Sequence, residues 1–410
     1  MSGFDNVSAA TERCVAGQMY PRRINLGVFI LEGLNSFAVT FYFFYFYFFT
    51  HARFGFGDKA NLLVAAAGGL ICVAGSLMGG RLAQRKGCFT ALKLGFCLMI
   101  CGTLASAALQ HSATGVVALM FLTTLGMCFT WAPLEALMAE GESYDGLQHN
   151  VGVYNIVWAV TGAVAYFIGG GVLGKLGMRS LFLVPASIQM LQLSLTFYLH
   201  RESPQAASPH SAPLEQPHRP HAPAPARARG FLRMAWLANP FSYIASNTLV
   251  AVMPGVAQRL ELSTTLAGFC CSVWCFARVG AFVGLWLWPG WHYRFRCLLS
   301  SFVALIVTFV LILSAPGLAT IVVAQIFFGG ALGLIYYSSL FYSMDIGDTK
   351  GEHGGIHEAA IGLGNFAGPA VGAASLQFFP QHTTNGVIAV SVLLVCGLGG
   401  LLAIWRKTKT

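Results

Sequence analysis

The chain has 410 residues, of which 56% are hydrophobic and 10% charged, with a formal net charge of +9. Soluble globular proteins carry about 25% charged residues, so this composition excludes a water-soluble domain and requires a bilayer. The positive balance is explained by its uneven placement between loops, which removes nucleic acid as an implied partner.

Residues 1–21 are polar and lack an apolar core, so no removable signal peptide is expected and the first apolar segment serves as an uncleaved signal. Twelve apolar segments then follow, at 24–49, 60–82, 90–109, 115–138, 151–173, 181–199, 236–256, 264–288, 297–313, 318–342, 356–379 and 386–404. Most reach the roughly 20 residues that a helix needs to cross about 30 Å of hydrocarbon, and the ninth is short. Backbone hydrogen bonding makes each of them a helix. The expected protein is an all-α integral membrane protein of twelve transmembrane helices in two six-helix bundles.

Between the sixth and seventh segments, residues 201–230 hold seven of the sixteen prolines and four basic side chains. The chain therefore divides into an N-terminal bundle, 1–200, a cytoplasmic Pro/His-rich linker, 201–230, and a C-terminal bundle, 231–410. A polyproline-like tether accounts for the linker, although His210, His218 and His221 also make a tract of the kind that binds metal. With both termini cytoplasmic, 18 basic residues fall inside and 5 outside, with Arg278 left within the bilayer. This asymmetry predicts both termini on the cytoplasmic face of an inner membrane. The eleven cysteines fall mostly within apolar segments and fit neither a disulfide framework nor zinc spacing.

The two halves repeat at an offset of about 203 to 204. Gly126 falls on Gly330, the acidic stretch Glu140-Gly141-Glu142 on Asp345-Ile346-Gly347-Asp348, His149 on His353, Asn155 on Glu358 and Gly169 on Gly372. Such a repeat implies two bundles related by an axis along the membrane normal.

Between the second and third segments stands Gly80-Arg81-Leu82-Ala83-Gln84-Arg85-Lys86-Gly87. Together with the six-plus-six layout, this resembles the loop signature of the major facilitator superfamily. In the family's pattern an Asp stands where this chain has Gln84, and a basic residue where it has Cys88. The family's Arg in the fourth helix is also absent here, since Leu122 stands four before Gly126. Gly80, Gln84, Arg85 and Gly87 are the candidate gating loop, with a hydrogen-bonded Gln84 in place of the charge-linked gate. Gly364-Asn365-Phe366-Ala367-Gly368-Pro369 in the eleventh segment is similar to a motif that drug antiporters of the superfamily carry in their fifth helix; its position here suits a packing device.

The resemblance implies a major facilitator fold with a central cavity lined by helices 1, 4, 7 and 10, aided by 2, 5, 8 and 11. Residues that are costly in lipid agree with that placement. Asn35, Trp131, Tyr154, Asn155, Trp158, Asn247, Trp274, Arg278, Gln325 and Asn365 are the candidate substrate-binding residues. Trp131 with Glu135, and Trp274 with Arg278, each stand four apart on one helical face, which suits a planar or ring-shaped solute. A charge at mid-bilayer costs at least ~2.5 to 3.5 kcal/mol unless it meets a cavity or partner, so Arg278 is expected to bind an anionic group or a glutamate. Glu32, Glu135, His357 and Glu358 are the candidate proton-coupling groups, because a carboxylate held between helices can change protonation as a cavity alternates. Capping is the plainer reading of Glu135, at the end of the fourth segment, and of Glu358, at the start of the eleventh. The aromatic run from Phe41 to Phe49 is expected to form an interfacial belt and an outer lining.

These residues point to a secondary transporter that moves a small sugar-, nucleoside- or carboxylate-like solute by alternating access, with protons as the coupling ion and no cofactor. It is read as a monomer in the lipid bilayer. Efflux of amphipathic drugs by proton antiport and a non-transporting membrane sensor remain rival readings. No nucleophile and base pair, phosphate loop or metal cluster marks an enzyme.

Overall fold

In a computed structural model, residues 22–139, 144–203, 226–346, 350–382 and 384–409 are described. Outside them lie most of the linker with its three histidines, the N-terminal 21 residues, Glu140 to Glu142 and Asp348. Fourteen α-helices account for nearly all of the described residues. They are α1 (Arg22–Phe54), α2 (Asp58–Lys86), α3 (Cys88–Ala108), α4 (Ala113–Cys128), α5 (Trp131–Ala139), α6 (Tyr144–Leu176), α7 (Ser180–Glu202), α8 (Ala226–Arg259), α9 (Thr264–Cys271), α10 (Val273–Leu287), α11 (Phe295–Ser314), α12 (Leu318–Ile346), α13 (Lys350–Phe378) and α14 (Thr384–Lys409). Two of the twelve expected spans are broken, the fourth into α4 and α5 and the eighth into α9 and α10.

Each break has a local cause. Pro133 has no N–H and crowds the carbonyl four residues earlier, so the fourth span turns at Phe129 and Thr130, whose N–H groups bond three residues back at 3.0 and 2.9 Å. The eighth span breaks at buried Ser272, whose hydroxyl donates to the Phe269 carbonyl at 3.1 Å. Each break therefore stands within two residues of a candidate tryptophan, Trp131 or Trp274.

Eleven spans have the length and hydropathy of a membrane crossing. The twelfth is α8, whose hydropathy is lowered by Asn239, Pro240, Ser242, Ser246, Asn247 and Thr248. Those residues are tolerated because α8 is enclosed by α11 to α14 in its own half and touches α1 and α2 in the other. The ninth span, short by hydropathy, is a full helix of 20 residues.

The halves meet along two seams. One joins α2 to α13, and the other joins α6 to α9 and α10. Each seam is antiparallel: Leu62 approaches Gly372, Gly69 the backbone of Asn365 and Phe366, and Cys72 Gly362, while Gly170 approaches Thr264, Trp158 meets Phe282, and Gly152 meets Trp286. Small residues at these points let helices approach closely in lipid, where packing and hydrogen bonds drive association. At the end remote from the chain termini, the Tyr45 hydroxyl donates to the Tyr166 carbonyl at 2.5 Å and abuts Gly268, closing that side.

Several expectations change. Of the run from Phe41 to Phe49, only Phe43 and Phe44 are not buried, so the aromatic stretch is internal packing with no lipid-facing belt; α6, α7 and α8 surround it. Glu358 stands two turns inside α13 and therefore does not cap it. Gly364 and Gly368 lie against Pro240, Tyr243 and Ile244 of α8, which makes the Gly-Pro motif a helix contact. The repeat is inexact in packing: Gly126 presses on Gly95 and Met99, whereas Gly330 has open space and its neighbour Gly329 meets the Trp274 backbone.

Candidate functional site

A cavity of about 200 Å³ lies between the halves. The broken spans bring Trp131 and Glu135 on α5, and Trp274 and Arg278 on α10, to its wall; α6 adds Tyr154 and Trp158, α8 adds Asn247, and α13 adds Glu358 and Asn365. Ligand pockets commonly measure about 300–1,000 Å³, so this one admits a compact solute. Asn35, Asn155, Gln325, Glu32 and His357 are not on the wall.

Arg278 is the centre of the site. Its guanidinium carbon lies 4.3 Å from the Trp158 ring centroid and 5.2 Å from that of Trp274, so an indole from each half holds it. Trp158 is itself stacked on Tyr336 at 5.3 Å and near-parallel to Phe282 at 6.2 Å. The expected aromatic plate is thus occupied by the protein and serves to position the cation. Arg278 Nε and Trp274 Nε1 are both buried without a hydrogen-bond partner.

The acids are arranged around this cation at different depths. Glu135 and Glu358 are half-buried on the wall, whereas Glu32 is fully buried behind it and accepts a hydrogen bond from the Tyr154 hydroxyl at 2.8 Å through Oε2. Its Oε1 has no partner. His357 is half-buried with Nε2 unpartnered, its ring 5.9 Å from that of Tyr336. The cavity thus holds a fixed cation, two carboxyl groups, and a third acid one tyrosine away.

Three of the candidate amides have a different occupation. Pro369 cannot donate to the carbonyl of Asn365 four residues earlier, and the Asn247 amide donates to that carbonyl at 3.0 Å instead. Gln325 spans the break in the eighth span, accepting from Trp274 N–H at 3.4 Å and donating to the Cys270 carbonyl at 2.9 Å. Asn35 donates to the Thr130 hydroxyl at 3.1 Å, at the break in the fourth span. In hydrocarbon an orphaned backbone group costs several kcal/mol, so Asn247 and Gln325 satisfy backbone groups left open at Pro369 and at the break in the eighth span, while Asn35 ties the break in the fourth through a hydroxyl. Asn155 alone has both amide atoms buried and unpartnered.

Spacing did not single out Phe43, Phe44, Tyr243 and Tyr336, which also line the cavity. Tyr243 stands four before Asn247, a spacing that could have marked it. In the loop between α2 and α3, Gly87 has φ +87°, a conformation that side chains rarely adopt, and Gly80 precedes it by nearly two turns. Gln84 and Arg85 are exposed, and Gln84 makes no side-chain hydrogen bond among the described residues, so the expected polar tie is not formed.

No protein-family model and no curated protein matches the chain. Solved structures do. The nucleoside transporter NupG superposes with a TM-score of 0.69 at 12% identity, covering 93% of this chain and 99% of that one. An auto-inhibited POT-family peptide transporter gives 0.72 at 12% identity, covering 94% and 97%. A bacterial homologue of the human lysosomal transporter Spinster, inward-facing and unoccupied, gives 0.68 at 14% identity, covering 95% and 96%.

Proposed function

From a chain with the major facilitator fold, we infer a secondary transporter that carries a small organic solute across the membrane by alternating access. The observation that carries this reading is the placement of Arg278 at the seam, held by Trp158 of one half and Trp274 of the other inside a cavity that both halves enclose. Rocking about the seams changes that contact, so a solute bound there acts directly on the element that moves.

Coupling to protons is supported by Glu135 and Glu358 on the wall and by the buried Glu32–Tyr154 pair. A solute that alters the charge balance around Arg278 alters the preference of these acids for a proton, and binding linkage is reciprocal. Asn247, Asn365 and Trp131 shape the wall, while Asn35 and Gln325 hold the broken helices that bear the tryptophans. The fit of large amphipathic drugs is opposed by the cavity volume of about 200 Å³.

Uptake into proteoliposomes with an imposed proton gradient tests the reading. Uptake of the solute is expected to collapse with a proton ionophore and to lose its gradient dependence in Glu32→Gln. Solute accumulation unchanged by both would remove proton coupling through Glu32.

A further inference from the structure

We propose that the solute is a compact organic monocarboxylate, bound by its carboxylate to the edge of the Arg278 guanidinium. The proposal rests on the carrier reading above and names what its cavity takes.

The argument starts from what Arg278 has left to offer. Its contacts to the two indoles, at 4.3 and 5.2 Å from the ring centroids, are not hydrogen bonds, and Arg278 makes none among the described residues. A guanidinium carries five N–H donors and no acceptor, and Nε is buried without a partner. Four residues earlier on the same face of α10, Trp274 Nε1 is a second buried donor without an acceptor. Arg278 stands on the cavity wall with its guanidinium unpaired, so a ligand that brings acceptors completes it, and a planar carboxylate matches the guanidinium fork. Holding the fork between two indoles lowers the entropy cost of binding.

The remaining wall narrows the class. Ser36 donates to the Trp158 carbonyl at 2.7 Å, Thr124 to Met120 at 2.9 Å, and Asn247 to Asn365 at 3.0 Å. These three hydrogen-bonding groups of the wall are thus committed to backbone. Val39, Phe43, Phe44, Met120, Met127 and Val250 supply an apolar surface for the body of the solute. Glu135 and Glu358 share the cavity, so a second carboxylate on the solute would face like charge. One carboxylate on a small apolar body satisfies both the donors and the walls.

The test compares acids with amides of the same shape. Thermal unfolding of the purified full chain would be followed with benzoate, benzamide, cyclohexanecarboxylate, its amide, succinate, uridine and glucose. Benzoate and cyclohexanecarboxylate are expected to raise the midpoint, and their amides, succinate, uridine and glucose to leave it unchanged. Removing a charge-assisted bond of about 1.5–3 kcal/mol should weaken benzoate binding at least about tenfold in Arg278→Gln, with part of it retained in Arg278→Lys. Equal responses to benzoate and benzamide overturn the proposal, as does protection by uridine or glucose with the acids silent. A benzoate response preserved in Arg278→Gln also overturns it. The wild-type acid and amide comparison stands if either variant fails to fold. The carrier reading has its own readout, the distance between spin labels at positions 177 and 261. Movement with uridine but not benzoate overturns the substrate class alone, and no movement with any compound that raises the thermal midpoint overturns the carrier.

Discussion

At the scale of single residues, polar groups in the spans divide into those that serve the backbone and those that face the cavity. The sequence marks all of them as expensive in lipid without separating the two kinds, because the broken hydrogen bond lies in a different helix from the side chain that mends it. Gln325 stands 51 residues beyond Trp274, two spans later and with no sequence cue that pairs them, yet it closes the gap in the eighth span. Replacing Gln325 with Leu orphans the Trp274 N–H and the Cys270 carbonyl, and the expected loss is about 1–3 kcal/mol, read as a lower thermal midpoint. Asn155 gives the opposite expectation. Both of its amide atoms are buried without partners, so Asn155→Leu removes an existing penalty and should leave the midpoint unchanged or raise it. A clear loss in Asn155→Leu, or none in Gln325→Leu, would break this division.

At the scale of helices, existence was legible and the two breaks were not, because the fourth and eighth segments read as continuous. Pro133 stands at one break, but Pro185 and Pro369 lie inside unbroken helices, and the break at Ser272 depends on Gln325 of α12. The aromatic run of α1 was misplaced for a related reason: nine large apolar residues look lipid-facing until the enclosing helices are known. Seam glycines follow the same logic and give a paired prediction. A methyl group at Gly69 would enter the backbone of Asn365 and Phe366, so Gly69→Ala must part α2 from α13 at a cost of about 1–3 kcal/mol. At Gly330 nothing lies within 4 Å, and Ala there should stabilise α12 by up to about 1 kcal/mol. Thermal midpoints of the two variants should move in opposite directions, and solute uptake should fall only in Gly69→Ala. Equal behaviour of the pair would show that the α2–α13 seam does not need its close approach.

At the scale of the whole molecule, the twelve-span plan was readable because hydropathy and the 18-to-5 distribution of basic residues are properties of long stretches and tolerate local error. The two antiparallel seams were not readable, since nothing in a single sequence pairs Gly69 with Phe366 or Gly170 with Thr264. With both ends of a twelve-span chain on one face, orientation reduces to a single binary question, and the charges predict that this face is cytoplasmic. A reporter fluorescent only in the cytoplasm should be active when fused after residue 410 and dark when inserted at position 177, between α6 and α7. Because only five basic residues oppose the rule, neutralising Arg81, Arg85 and Lys86 together should leave this orientation in place; fifteen basic residues would still stand on the predicted inner face. A reporter that is dark after residue 410 and active at position 177 would reverse the assignment.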